Sequence, residues 1–255
     1  MEPVYSTVIT VARAMFAAQG LRFTLTGTEH IPRSGGALLV MNHVGFFDFT
    51  YAELAARPAK RYVRFMAKTE VFAYPVAGAL MRGMHHISVD RMAGTGSFAT
   101  AVQALCAGEL VGVFPEATIS SSFELKAFKS GAARMALEAG VPLLPTIIWG
   151  SQRVWTKRQP VHLGHTRTPI TVDVGAPVAP VGSALELTKT MHAQMSEQLA
   201  RAQHTYPSGH PAGAFWVPAR LGGGAPTPEQ AHEQDRADTR GQVAKRREKM
   251  RRRAG

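Results

Sequence analysis

The run Leu38-Leu39-Val40-Met41-Asn42-His43-Val44-Gly45-Phe46-Phe47-Asp48 decides how the rest of the chain is read. Its apolar part, which begins at Ala37, has the length and content of a strand buried on both faces, as in a parallel sheet covered by helices. Gly45 breaks the run, and Phe47 to Arg57 then reads as a helix. His43 is thereby placed in the turn where a strand ends, where open α/β sheets gather ligand-binding and reactive groups. On one regular helix, residues five apart are turned about 140° from each other. His43 and Asp48 therefore meet only if the His lies on the turn and the Asp on the first helical turn. Such a pair has a definite chemical use. Neutral imidazole takes a proton from a hydroxyl near pH 7, and a carboxylate on its other nitrogen fixes the tautomer and stabilises the imidazolium that forms.

Outward from this stretch, strand-like and helix-like segments alternate. Leu21, Phe23 and Leu25 alternate with polar residues as a half-buried strand ending at Gly27. Further strands are expected at 37–41, 62–67, 86–89, 110–114, 143–149, 161–164 and 170–175. Helices are expected at 97–107, 130–139 and 183–202, with another apolar helical segment broken by Pro75. This alternation predicts an α/β fold: a single mixed, largely parallel sheet flanked by helices. Beyond Tyr206, the residues Pro207, Pro211, Pro218, Gly222-Gly223-Gly224 and Pro226 mark an irregular stretch, although Phe215 and Trp216 are costly to leave in water. The expected organisation is an N-terminal amphipathic helix over 1–20, one domain over 21–205 and an irregular, basic tail over 206–255.

With 255 residues, 45% of them apolar, the chain can bury a substantial core. The single cysteine, Cys106, excludes an internal disulfide and is expected to be a small buried hydrophobe in a helix. Absence of disulfides and of a cleavable signal pattern points to the cytoplasmic side. The unusual feature is charge: 29 basic against 18 acidic residues give +11. Residues 243–255 hold seven Lys or Arg against one Glu and are expected to be solvated and disordered. Such a surface suits anionic lipid or nucleic acid, but the basic run lacks the aromatic platforms of a nucleic-acid binder, so no nucleic-acid partner is expected. Val4 to Ala18 is apolar, too short to span a bilayer and interrupted by Arg13. It fits an amphipathic helix lying on a membrane or packed on the domain. No metal is expected, because His85 and His86 are adjacent on a strand and one cysteine leaves too few ligands.

Three expected strand ends carry charged or polar groups: His43 with Asp48, Asp90-Arg91, and Glu116. Arg91 is a planar, permanently charged donor suited to a phosphate, or else a surface ion-pair member. Glu116 orients Arg91, bonds backbone donors, or serves as an acid at a helix N-terminus.

Taken together, these segments resemble the glycerolipid acyltransferases typified by 1-acylglycerol-3-phosphate acyltransferase. The family's Asn-His-x4-Asp block is matched by Asn42-His43 to Asp48. Its second block, a Gly followed by a hydrophobic strand end and Asp-Arg, is matched by Gly83, Ile87, Val89, Asp90 and Arg91. The third, Phe-Pro-Glu-Gly-Thr-Arg-Ser, stands here as Phe114-Pro115-Glu116-Ala117-Thr118-Ile119-Ser120. The fourth, Val-Pro-x-x-Pro, is Val141-Pro142-Leu143-Leu144-Pro145. Lys68, Glu70 and the run Phe128-Lys129-Ser130-Gly131-Ala132 are also similar to the family.

The resemblance implies a glycerol-phosphate-acyltransferase-like fold with a membrane-associating N-terminal helix and an acyltransferase domain over 21–205. It implies His43 and Asp48 as catalytic residues, and Arg91, Glu116, Lys68, Lys129, Asn42, Phe114, Pro115 and Thr118 as substrate-binding ones. The expected reaction moves a fatty acyl group from acyl-CoA or acyl carrier protein to a hydroxyl of 1-acylglycerol-3-phosphate, making phosphatidic acid without an acyl-enzyme. No cofactor is implied beyond the thioester co-substrate. The expected setting is the cytoplasmic face of the cell membrane, with peripheral or monotopic attachment to its phospholipid surface.

Two departures matter. Ala117 replaces a Gly, so the backbone there is expected to be one that an L-residue tolerates. Ile119 replaces an Arg that in the family helps bind the acceptor phosphate. Phosphate binding then rests on Arg91, with Lys68, Lys126 or Lys129 as substitutes, or the acceptor is glycerol-3-phosphate or another lysophospholipid. A rival from another class is a dinucleotide-binding oxidoreductase, on Gly94-Thr95-Gly96-Ser97-Phe98-Ala99 with Glu116 further on. Against it, four residues separate the strand end from the first Gly, where a tight turn is needed.

Overall fold

The buried run at 37–41 forms β2 (Ala37–Met41), every residue of it inaccessible to solvent. The computed structural model describes residues 2–90 and 96–254, the side chains of 242–254 excepted. By internal contacts it divides into two compact units, Met1–Ile119 with Ala127–Gly209, and Ser120–Lys126 with His210–Gly255.

The first unit is built on a seven-stranded sheet. Its other strands are β1 (Arg22–Thr26), β3 (Val63–Lys68), β4 (Ile87–Val89), β5 (Leu110–Val113), β6 (Leu143–Trp149) and β7 (Pro169–Val174). They lie in the order β1-β7-β6-β2-β5-β3-β4. All neighbours are parallel except β6 and β7. The sheet is therefore mixed and largely parallel, as expected. β2 and β6 are buried along their whole length and read as continuous apolar runs, whereas β1 alternates. The expected strand at 161–164 is absent: the segment is irregular, with Val161 and Leu163 exposed. Its apolar residues have no neighbouring strand to pair with or core to enter.

One face of the sheet is covered by α2 (Asp48–Ala56), which contacts β1, β3, β6 and β7. The helix is buried nearly all round, and its Tyr51, Ala52, Ala55 and Ala56 join Phe16 of α1 (Pro3–Ala18) in one core cluster. On the opposite side, α5 (Gly96–Cys106) meets β4 and β5, α6 (Gly131–Ala139) meets β2, and α7 (Ala184–His204) meets β6 and β7. Cys106 is exposed, contrary to expectation, because it falls at the solvent side of the last turn of α5.

Between β3 and β4 run α3 (Thr69–Phe72) and α4 (Pro75–Gly83), where Pro75 opens the second helix rather than breaking one. α1 packs on α4, with Tyr5 and Ile9 against Met81 and Met84. No helix among the described residues is long and apolar enough to cross a membrane.

In the second unit the tail is irregular only as far as Thr227. A helix, α8 (Pro228–Ala254), follows, against the expectation of irregular structure to the end. Its start is written locally: Gln230 N donates to Thr227 Oγ1 at 3.3 Å and Thr227 N to Gln230 Oε1 at 3.0 Å, a reciprocal cap with Pro228 at the first helical position. Within the same unit, Lys126 Nζ pairs with Asp235 at 2.6 Å and Arg220 Nε with Glu124 at 2.6 Å.

Candidate active site

β2, β5, β3 and β4 run parallel, so their C-terminal ends lie on one edge of the sheet. His43 follows β2 directly, and α2 begins with Asp48. His43 Nδ1 lies 2.9 Å from Asp48 Oδ2. An ionised carboxylate only accepts, so Nδ1 carries the proton and Nε2 is left with its lone pair. The His side chain is 20% exposed and the Asp side chain 0%. Thus the imidazole can meet a substrate, while the carboxylate behind it is sealed from water.

The carboxylate is heavily bonded. Val44 N and Gly45 N donate to Oδ2 at 2.7 and 2.9 Å. Ser151 Oγ donates to Oδ1. These donors fix the carboxylate in place. The ring of Phe114 stacks on His43 with centroids 4.1 Å apart and planes 22° from parallel, which limits rotation of the imidazole.

Glu116 stands beyond β5, the strand beside β2. Of the roles open to it, it takes the backbone one: His43 N donates to Glu116 Oε1 at 2.9 Å. The turn containing it is folded tightly, with Ala117 N bonded to Phe114 O at 3.0 Å and Lys129 N to Pro115 O at 3.1 Å. Ala117 has φ +62°, so the expectation of an ordinary backbone fails. The turn keeps the left-handed geometry that suits Gly even though Ala occupies it.

Asn42 also departs from expectation. It is 1% exposed. Its Nδ2 donates to Ile148 O at 3.0 Å, and its Oδ1 accepts from Ile148 N at 2.7 Å. With both ends of the amide spent on β6, Asn42 extends the pairing of β2 past its last residue and has nothing to offer a substrate.

The remaining expected residues are placed as follows. Phe114 and Thr118 are half-buried, and Pro115 is buried. Lys68 ends β3 and Lys129 precedes α6, both exposed. Arg91 and the Gly94-Thr95 start of the rival glycine motif lie outside the described residues. Ile119 is buried. Among the described residues no three His, Cys, Asp or Glu side chains gather as a metal-ligand set.

The segment from Gly150 to Thr156 carries no motif that marks it as part of the site. It closes over the His43 turn: Phe46 N donates to Trp155 O at 3.0 Å, and Thr156 Oγ1 to Val44 O at 2.7 Å. Its only sequence signal is a Gly-Ser pair after a buried strand. That pair becomes informative once β6 is known to lie beside β2.

A model of the Acyltransferase family matches residues 22–149, the span from β1 through β6 that carries the His-Asp pair and Glu116. The chain belongs to the acyltransferase family. This acyltransferase is 32% identical over 162 residues to an uncharacterized protein of Mycobacterium tuberculosis, covering 59% of this chain and 43% of the other. It is 32% identical over 142 residues to a 1-acyl-sn-glycerol-3-phosphate acyltransferase of Limnanthes alba, covering 54% and 49%. With the enzyme of the same description from Bacillus subtilis it shares 31% over 123 residues, covering 48% and 60%. The chain spans about half the length of the curated relatives it matches. In fold, the acyltransferase is similar to the crystal structure of the 1-acyl-sn-glycerophosphate (LPA) acyltransferase PlsC from Thermotoga maritima. That match has TM-score 0.63 at 24% identity and covers 76% of this chain and 77% of that one.

Proposed function

We propose that this acyltransferase moves a fatty acyl group from acyl-CoA or acyl carrier protein to the free hydroxyl of 1-acylglycerol-3-phosphate, giving phosphatidic acid. The observation that carries this reading is the bond from His43 Nδ1 to the sealed Asp48 carboxylate, which leaves Nε2 as a base on the accessible side. In the proposed step, Nε2 takes the hydroxyl proton as the oxygen attacks the thioester carbonyl. The tetrahedral adduct then expels the thiolate, the C–S bond breaks, and the imidazolium returns its proton to the sulfur. No acyl-enzyme forms, and Asp48 stays ionised throughout.

Arg91 is proposed to hold the acceptor phosphate, with Lys68 and Lys129 as further cations. Ile119 in place of the family Arg keeps glycerol-3-phosphate and other lysophospholipids as alternative acceptors. Attachment to the cytoplasmic face of a membrane is part of the same proposal. It is supported by apolar side chains left outside the core on α1 and on the packed α3–α4 segment: Val4, Val11, Tyr74, Val76 and Leu80.

The test is thiol release from acyl-CoA with lysophosphatidate as acceptor, in detergent. His43→Ala is expected to lower turnover by about a thousandfold or more with an unchanged melting temperature. Near-normal turnover of that variant overturns the proposal. Arg91→Ala is expected chiefly to raise the acceptor KM, and a panel of acceptors with one acyl-CoA identifies the preferred one.

A further inference from the structure

Asp48 has no exposed surface and accepts from four donors. Three of these, His43 Nδ1, Val44 N and Gly45 N, converge on Oδ2 and come from the same turn. The fourth, Ser151 Oγ, is the donor to Oδ1, and it comes from the 3₁₀ turn Ser151–Arg153 beyond β6. Both oxygens lie off the Cβ–Cγ axis, so the three donors on Oδ2 already resist rotation of the carboxylate, but all of them come from the one turn. The donor on Oδ1 adds an attachment from a second, separately anchored segment. We propose that Ser151 is a positioning residue, which fixes the plane of the Asp48 carboxylate so that Oδ2 faces His43 Nδ1.

The surroundings of Ser151 are built for this. It is 1% exposed, and Gly150 before it, at φ +96°, turns the chain sharply off the strand. Val154 N and Trp155 N donate to Ser151 O at 3.0 and 3.3 Å, which fixes the backbone from which the hydroxyl projects. Across from it, a Cβ placed on Gly45 would come 2.0 Å from Ser151 Oγ. Thus Gly45 is required for the Ser hydroxyl to reach the carboxylate, as well as for the break after β2.

The inference rests on His43 and Asp48 forming the base of the proposed reaction, and it makes a separable prediction. A carboxylate no longer held toward Nδ1 stabilises the imidazolium less well. In Ser151→Ala the acid limb of the kcat/KM profile is therefore expected to move to lower pH. Turnover is expected to fall about tenfold, the usual size for a group that orients another from behind, with KM for both substrates little changed. The His43 Nδ1 proton, followed by low-temperature proton NMR on the resting enzyme, is expected to exchange faster with water. Ser151→Thr keeps the hydroxyl and is expected to restore both the limb and the slow exchange.

Thr156→Val serves as the control, because Thr156 braces the same turn through Val44 O without touching the carboxylate. It is expected to lower the melting temperature and leave the acid limb in place. A Ser151→Ala enzyme with the wild-type acid limb and a slowly exchanging His43 proton overturns the positioning role, whatever its turnover. The NMR readout needs no activity, so failure of the reaction assignment and failure of the positioning role are told apart.

Discussion

At the scale of single residues, the His43–Asp48 pair was legible because its geometry is local: five residues cross one strand-to-helix turn. Ala117 departs from its expected backbone, since a motif shows which residue is present but not which φ the neighbouring hydrogen bonds impose. Holding an L-residue at φ +62° costs roughly 1 kcal/mol relative to Gly. Ala117→Gly is therefore expected to raise stability by up to about 1 kcal/mol, less the greater freedom Gly brings to the unfolded chain, as read from the urea midpoint. A lower midpoint would show that the turn is not strained. Asn42 yields the opposite prediction. Asn42→Ala leaves the N–H and C=O of Ile148 without their partners and is expected to cost about 3 kcal/mol in the same measurement.

At the scale of elements, α1 shows what apolar periodicity can and cannot tell. Tyr5, Ile9 and Phe16 line one side of the helix and are buried, while Val4 and Val11 remain exposed. What anchors the helix is polar. Tyr5 Oη lies 2.7 Å from both Val63 O and Glu53 Oε2. Tyr5 Oη donates to the Glu53 carboxyl, whose Oε2 also accepts from Val63 N at 3.0 Å. Burial pushes the Glu53 carboxyl up to about 8, despite the hydrogen bonds from Tyr5 and Val63 N and the nearby Arg64 and Arg57 guanidinium groups. The unfolded chain releases that proton near 4.5, so the folded state binds more protons between about 4.5 and 8, and stability falls as pH rises through that window.

His86 acts in the other direction. Its Nδ1 accepts from Phe65 N at 3.2 Å, and burial lowers the ring from 6.5 to about 4, so stability is lost as pH falls through that range. The two contributions cancel between about 4.5 and 6.5, so stability is expected to be flat there and to fall as pH rises above about 6.5. Glu53→Gln is expected to melt higher than the parent at pH 8.5 and within a degree or two of it at pH 5. Parallel melting curves at both pH values would refute the proton linkage. At the other end of the chain, the Thr227–Gln230 cap was present in the sequence but was outweighed in reading by the Pro, Gly and charge content around it.

At the scale of the whole molecule, the mixed sheet sets four parallel strand ends on one edge, which is why blocks scattered from 42 to 116 can act together. The cationic run at 243–255 lies far along the chain from them. Removing it is expected to leave turnover in detergent within about twofold while weakening sedimentation with anionic vesicles at low salt. Release of the intact protein by raised salt would match the electrostatic attraction of roughly 1 kcal/mol expected per cation near such a surface. Unaltered vesicle binding after truncation would place the attachment elsewhere, with the exposed side chains of α1 and α4 next in line.

The sequence by itself determined the buried strands, the helices between them and the His-Asp pair, because apolar periodicity, chain breakers and short spacings act over a few residues. Only the tertiary structure decided that Asn42 is spent on β6, that Glu116 bonds the backbone of His43, and that Ser151, 103 residues from Asp48, holds its carboxylate. Each of these depends on which strands lie side by side. Strand order follows from how the whole sheet packs against its helices, and no local pattern encodes it.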